Sequence, residues 1–444
     1  MFATVKNAFK TKEIRRKIFF TFLMLIVIRL GSTIPVPGIN TAVFREWFMK
    51  ASNSGTNALG FVNVFTGGSF ENMSILALNI TPYITSSIII QLLTIAFPSL
   101  EEMQKDGEEG RKKLTQATRL ITIGLAVMQS TVMGINFYRQ SGFLTIRNPL
   151  VVVQIVASLT VGSALMMWLG ERITDKGVGN GISIVLVINI ISRMPGDVAG
   201  LFHQFVLTSD KTVIQAALAT IVIVAIIIAM VVIVVVLNGA ERRIPVQYAK
   251  KLQGRRMLGG NSAEIPLKVN TAGVMPIIFA ISLFQTPLML GQFFNWDGKI
   301  WSELSLYLNQ GMWFNPAAWK YSLGLIGYVL LLIFFAYFYT SITFNPLEIA
   351  DNMKKQGGFI PGVRPGKPTS DYLTKILNYI IFIGAIGLTI VGVLPIMFNG
   401  LFKADVSFGG TSLIIIVSVI LETLKAIESQ MLVRNYKGFL DSCA

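Results

Sequence analysis

The sequence predicts an all-α polytopic membrane protein. Three observations carry this reading: only 14% of the 444 residues are charged, 53% are hydrophobic, and long uncharged apolar runs recur from end to end. Soluble domains carry about 25% charged residues. A mean hydropathy of +0.63 leaves more apolar surface than one or two globular cores of this length can bury.

A bilayer core about 30 Å thick takes roughly 20 apolar residues per helix. Ten runs meet or approach that length: Ile18 to Pro35, Ser74 to Phe97, Gln116 to Phe137, Pro149 to Leu169, Ile182 to Met194, Val213 to Leu237, Thr271 to Phe294, Ala317 to Thr340, Tyr372 to Met397, and Thr411 to Ile427. The fifth is short and is expected to continue past Pro195 as a kinked or broken helix. The first follows a basic stretch (Lys6, Lys10, Lys12, Arg15, Arg16, Lys17), as a signal peptide would. No small-x-small cleavage pattern follows it, and Pro35 and Pro37 end it stiffly, so a retained helix is expected. Arg29 lies about one and a half turns from its outer end, within reach of the interface by snorkelling.

An even span count puts both termini on one side, and basic residues identify it. About 28 of the 38 Lys and Arg fall on the side of the termini, where residues 1–17 form the N-terminal segment and 431–444 the tail. That side is expected to be cytosolic. The opposite loops hold about 7 of the 23 acidic residues, so the +15 net charge is mostly cytosolic.

Two cytosolic loops exceed what a helical hairpin needs. Loop 238–270 carries Arg242, Arg243, Lys250, Lys251, Arg255, Arg256 and Lys268, with Val246, Tyr248 and Leu252 interleaved in the manner of a short hairpin. It suits an acidic partner surface, rRNA or anionic lipid; a solvated loop that only sets topology is the alternative. Loop 342–371 contains GGFIPGVRPGKPT. Its Gly362 to Lys367 has one residue too few for a phosphate loop, and Pro368 stands where a magnesium-binding Ser or Thr would be. GVGNG at Gly177 to Gly181 is likewise too short for a dinucleotide fingerprint.

Between the first two runs, Gly38 to Asn72 reads as a long external loop ending in GFVNVFTGGSFEN. Its apolar residues are too few to span, and re-entrant insertion and an interfacial position both remain open on physical grounds.

Enzymatic chemistry has little to work with. His203 is the only histidine and lies in a polar connection; Cys443, the only cysteine, is next to the end. No Cys/His metal site or catalytic pair can be assembled, and no cofactor is expected. Acidic residues lie in loops or at helix ends, leaving no buried charged site for ion coupling. Polarity within the runs is neutral (Thr81, Thr85, Ser86, Gln91, Thr118, Thr122, Gln129), which helix packing alone accounts for.

Three segments are specific enough to name a family: SILALNITPYITSSIIIQLL (Ser74 to Leu93), WLGERITDKGVGNGISIVL (Trp168 to Leu186) and FNPLEIADNMKKQGGFIPGVRPGKPT (Phe344 to Thr369). Together with YAKKLQGRR and IPLKVNTAGVMP, in this order and spacing, the chain resembles SecY, the large subunit of the bacterial protein translocation channel. Two departures stand out: Asn79 occupies a position where the family pattern leads one to glycine, and Ser442-Cys443-Ala444 does not look like a family ending.

The resemblance implies two inverted five-helix halves, residues 18–212 and 213–430, around a central pore. It implies a pore ring of Ile80, Ile84, Ile182, Leu186, Ile278 and Ile415, and a re-entrant plug over 60–73 that includes Phe61, Val64, Phe65, Gly67, Gly68 and Phe70. A lateral gate would open between spans two and three and spans seven and eight, with Gln91, Thr118 and Asn270 as polar contacts across it. Docking would fall to Arg242, Arg243, Lys250, Arg255, Arg256 and Arg364. The implied partners are SecE and SecG-like small membrane subunits, the motor ATPase SecA, the ribosome through its rRNA, signal sequences with their nascent chains, and membrane lipid. The function so implied is a passive gated conduit for unfolded polypeptides. A secondary transporter of a small solute with inverted repeats is the alternative, favoured only by span count and size.

Overall fold

The computed structural model describes residues 9–441 except 54–62, 64–65, 140–141, 203–212, 249–250, 254–255, 259–261, 295–297, 315–318 and 403–409. The described chain is mostly helical. Helices α1 (Lys12–Gly31), α2 (Thr41–Asn53), α3 (Thr81–Ala96), α4 (Pro98–Lys105), α5 (Glu108–Arg139), α6 (Pro149–Lys176), α7 (Gly181–Phe202) and α8 (Val213–Gly239) come first. Strands β1 (Glu241–Tyr248), β2 (Lys251–Gln253), β3 (Arg256–Leu258) and β4 (Ser262–Lys268) follow. Then come α9 (Met275–Phe294), α10 (Lys299–Leu308), α11 (Leu323–Thr343), α12 (Pro346–Lys355), β5 (Gly358–Phe359), α13 (Lys367–Phe402) and α14 (Gly410–Asp441).

Among the described residues, 108–139, 149–176, 319–355 and 367–394 are each long and apolar enough to cross a membrane, and α3 with α4 forms a fifth such unit bent by 109°. The bend falls at Phe97, extended because proline follows it. Shorter apolar helices cover 181–196, 227–239 and 275–288.

Three expectations need correction. The Gly38 to Asn72 connection is not loop throughout: α2 occupies its first part, and Phe44 and Phe48, one turn apart, bury against Phe70. Phe44 also meets Phe137 and Phe143 edge-on. The second apolar run does not begin as a helix, because residues 74–80 form buried turns and α3 starts only at Thr81 with Pro82 in its first turn. Arg29 does not snorkel outward: its Nη1 donates to the Gly67 carbonyl at 3.3 Å.

Packing follows chain order. α3 lies against α5, α5 along α6, and α6 against both α1 and α7; later, α9 packs on α11, α11 on α13, and α14 on α8 and α13. Contacts between the early and late helices run through α7 with α14 and α5 with α9. The two long basic loops join in one antiparallel sheet of order β4-β1-β5, with Ile244 opposite Ile265 and Gln247 opposite Phe359. Ile244, Val246 and Leu267 bury beneath it with Met353, Ile360 and Leu373, so the sheet is rooted in the ends of α12 and α13.

Candidate functional site

All six ring residues lie at or near the N-terminal turns of their helices. Ile80 caps α3 and Ile84 is in its first turn; Ile182 and Leu186 open α7, Ile278 opens α9, and Ile415 lies in the second turn of α14. The fold brings these four helices together. Leu186 and Ile415 are buried in one apolar cluster, against which Ile84 and Ile278 pack. Ile80 is buried in an adjoining cluster, against which Ile182 packs. Ile84 touches both clusters and so joins the two sets. Ile184 also touches both, a role that its unexceptional place in an apolar run concealed. The six expected ring residues thus meet as branched aliphatic side chains, and a collar made of them would offer no fixed hydrogen bonds and disfavour hydrated ions.

The segment 66–73 is a run of turns tucked among α1, α2 and α7. Gly67, at φ 64, is left-handed, and a Cβ there would stand 2.9 Å from the Asn189 backbone, so only glycine lets the segment approach α7 this closely. Gly68 is left-handed as well, at φ 85. The Gly67 carbonyl accepts from Arg29 at 3.3 Å and from the Ser192 hydroxyl at 3.5 Å. Phe70 does not face the collar; it is buried in the aromatic cluster on α2. Phe61, Val64 and Phe65 lie outside the described residues.

Glu71 is the polar centre of this segment. Its carboxylate accepts from Arg193 Nη1 on α7 at 2.8 Å, from Asn63 Nδ2 at 2.9 Å and from Arg45 Nε on α2 at 3.2 Å. The Glu71 N–H donates in turn to Asn63 Oδ1 at 3.2 Å. Burial raises this carboxyl's pKa, but the hydrogen bonds from Arg193 and Asn63 and the charges of Arg193 and Arg45 prevail and hold it below the ordinary 4.5. Sequence reasoning missed Glu71; the only signal was that it is the one charged residue in the stretch GFVNVFTGGSFEN.

The expected seam contact takes a different form. Gln91, Thr118 and Asn270 do not hydrogen-bond to one another among the described residues. Thr118 donates to the Leu114 carbonyl at 2.9 Å, the usual back-bond of a helical threonine, and Gln91 Nε2 reaches Ser87 at 3.3 Å. Asn270, just ahead of α9, donates to Asn238 at 2.7 Å, and Asn238 donates to Ser418 at 2.6 Å, tying α8 and α14 to the foot of α9. Between α3 and α5 the direct bridge is Ser86 to Thr122, at 2.5 Å. The Gln91 and Asn270 side-chain oxygens are buried without hydrogen-bond partners.

On the sheet, Arg243 is already engaged, 2.7 Å from Glu241 and 3.6 Å from Glu264. Arg242 and Arg364 are exposed and make no ion pair among the described residues. Arg256 lies in β3, with nothing described of its side chain; Lys250 and Arg255 lie outside the described residues.

A mostly helical bundle with long apolar helices, whose early and late helices meet at uncharged aliphatic side chains with a turn segment folded in beside them, has the character of a polytopic membrane protein. A family model for SecY matches residues 74–424. The chain is 41% identical to a protein translocase subunit SecY of Streptomyces scabiei over 99% of this chain and 100% of that protein. It is 42% identical to another of Halalkalibacterium halodurans over the same shares. Among solved structures, one described as a protein conducting channel superposes with a TM-score of 0.63 at 18% identity, covering 94% of this chain and 92% of the other. Sec61 in a canine ribosome-channel complex superposes with a TM-score of 0.60 at 16% identity and the same coverage. The chain belongs to the SecY family.

Proposed function

We infer that this chain is the channel-forming subunit of the general secretory translocon in the bacterial plasma membrane, a passive gated conduit rather than an enzyme. It conducts unfolded polypeptides across the membrane and releases apolar segments sideways into lipid. The observation that carries the reading is the meeting of four helices at buried aliphatic residues, which we read as a collar, within a chain about 40% identical to SecY proteins over nearly its whole length. Such a collar presents any passing sequence with compliant, non-bonding side chains.

The finer arrangement proposed has ten spans in two inverted halves, 18–212 and 213–430, both termini cytosolic, and 60–73 as the plug. The contact of α5 with α9 supports a lateral seam between the third and seventh spans. A signal sequence leaving through it gains about 0.3 to 0.6 kcal/mol per central Leu-like residue, so a run of ten supplies several kcal/mol. Vectorial export draws on a partner: SecA or the translating ribosome, docking on the basic surface of the sheet at Arg242 and the turn after it at Arg364, with SecE and SecG-like subunits clamping the halves.

Reconstitution tests this. Vesicles holding the chain with its small subunits are expected to import a secretory precursor when SecA and ATP are supplied, and to move no small solute against a gradient. Solute accumulation without precursor import would replace the conduit by a transporter.

A further inference from the structure

The Glu71 cluster joins three elements that are separate in the sequence. Arg45 comes from α2, Arg193 from α7, Glu71 from the turn segment itself and Asn63 from just ahead of it. We propose that Glu71 and Arg193 form an ionic latch that holds the turn segment against α7 and sets how readily the idle channel opens. The proposal rests on the plug reading and names the contact that gives the plug its holding strength.

Three features favour a latch over a permanent anchor. First, the pair is only partly enclosed: the Glu71 side chain is 17% exposed and that of Arg193 25%. Release therefore exchanges charge-assisted hydrogen bonds for water instead of stranding a bare ion in apolar surroundings. Second, the segment's apolar root is elsewhere. Phe70 and Met73, which flank Glu71, stay buried in the cluster with Phe44 and Phe48, so Glu71 is held on the α2 side and the pair parts when α7 moves away from it. Third, α7 carries Arg193 about two turns beyond Leu186, and Ile182 and Leu186 of the same helix belong to the collar. Displacing α7 to widen the collar would pull the guanidinium from the carboxylate, so pore opening and plug release are mechanically linked. Arg45, 56% exposed, lies at the rim and contributes less.

The test uses the reconstituted complex in planar bilayers with no substrate. Glu71→Gln and Arg193→Gln are each expected to raise idle ion conductance about ten-fold, the factor one charge-assisted hydrogen bond supports. The double variant should rise no further than either single, because one interaction has been removed twice. Arg193→Lys should fall between the wild type and Arg193→Gln, and Arg45→Gln should leak less than Arg193→Gln. Precursors with a shortened apolar signal should cross the Glu71→Gln channel faster than the wild-type one, an effect that simple damage to the fold would reverse. Deletion of residues 65–70 is the control arm. A leaking deletion with tight Glu71→Gln and Arg193→Gln channels removes the latch and leaves the plug standing; a tight deletion removes the plug reading itself. Additive leaks in the double variant, or leak accompanied by lost export, also overturn the latch.

Discussion

At Asn79 the backbone is left-handed, with φ 50, immediately before the helix that carries Ile80 and Ile84. This explains why the family pattern leads one to glycine there: glycine takes that conformation freely, and asparagine tolerates it better than most other residues. The Ser163 hydroxyl holds the Asn79 carbonyl at 3.2 Å, and the neighbouring Gly162 leaves room for the Ile75 carbonyl, which a Cβ would strike. Asn79→Gly is expected to stay within about 1 kcal/mol of the parent, while Asn79→Val loses about 2 kcal/mol. Denaturation midpoints in detergent measure the difference; equal stability for the two would show that this turn is not strained. The departure from glycine was legible in the sequence, but its consequence was not, because nothing in a run of apolar residues marks where a helix starts seven residues late.

Among the elements, the long basic loops changed most. Read along the chain they are two separate candidates for docking; in the fold, β1 pairs with both β4 and β5, so Arg242 and Arg243 lie on one sheet whose β5 leads into the turn that carries Arg364. The hairpin was legible from Val246 and Tyr248, but its pairing with β5 was not, since two residues of strand leave no periodic signal. The sheet also ranks the arginines. Arg243 spends its charge on Glu241 and Glu264, whereas Arg242 and Arg364 are unpaired among the described residues. Arg242→Glu and Arg364→Glu should each weaken SecA-driven export several-fold, and Arg243→Glu less, with membrane insertion of the chain unaffected. Export assays on inverted vesicles separate them; a larger loss from Arg243→Glu would contradict the ranking. Helix α2 escaped notice for the opposite reason. Phe44 and Phe48 have the right spacing, but the segment lies in a connection too polar to read as a span.

For the whole molecule, composition and basic-residue distribution made the membrane class legible, and three motifs made the family legible. The proposed collar was not legible from physics: Ile80, Ile84, Ile182, Leu186, Ile278 and Ile415 are ordinary aliphatic residues in the sequence, and what the fold adds is the meeting of α3, α7, α9 and α14 around them. The partners of the expected seam residues were not legible for a related reason, because side chains such as Thr118 bond within their own helix. The low charge and the strong basic bias acquire distinct roles in the proposed account: the bias would orient the chain and supply a docking surface, while the absence of charge where the four helices meet would make the conduit indifferent to sequence. The most direct measurement places single cysteines at Ile80, Ile278 and Ile415, with Cys443 replaced, and cross-links them to a secretory chain stalled in transit. All three are expected to trap the same stretch of the stalled chain; a translocating chain that contacts none of them would contradict the conduit.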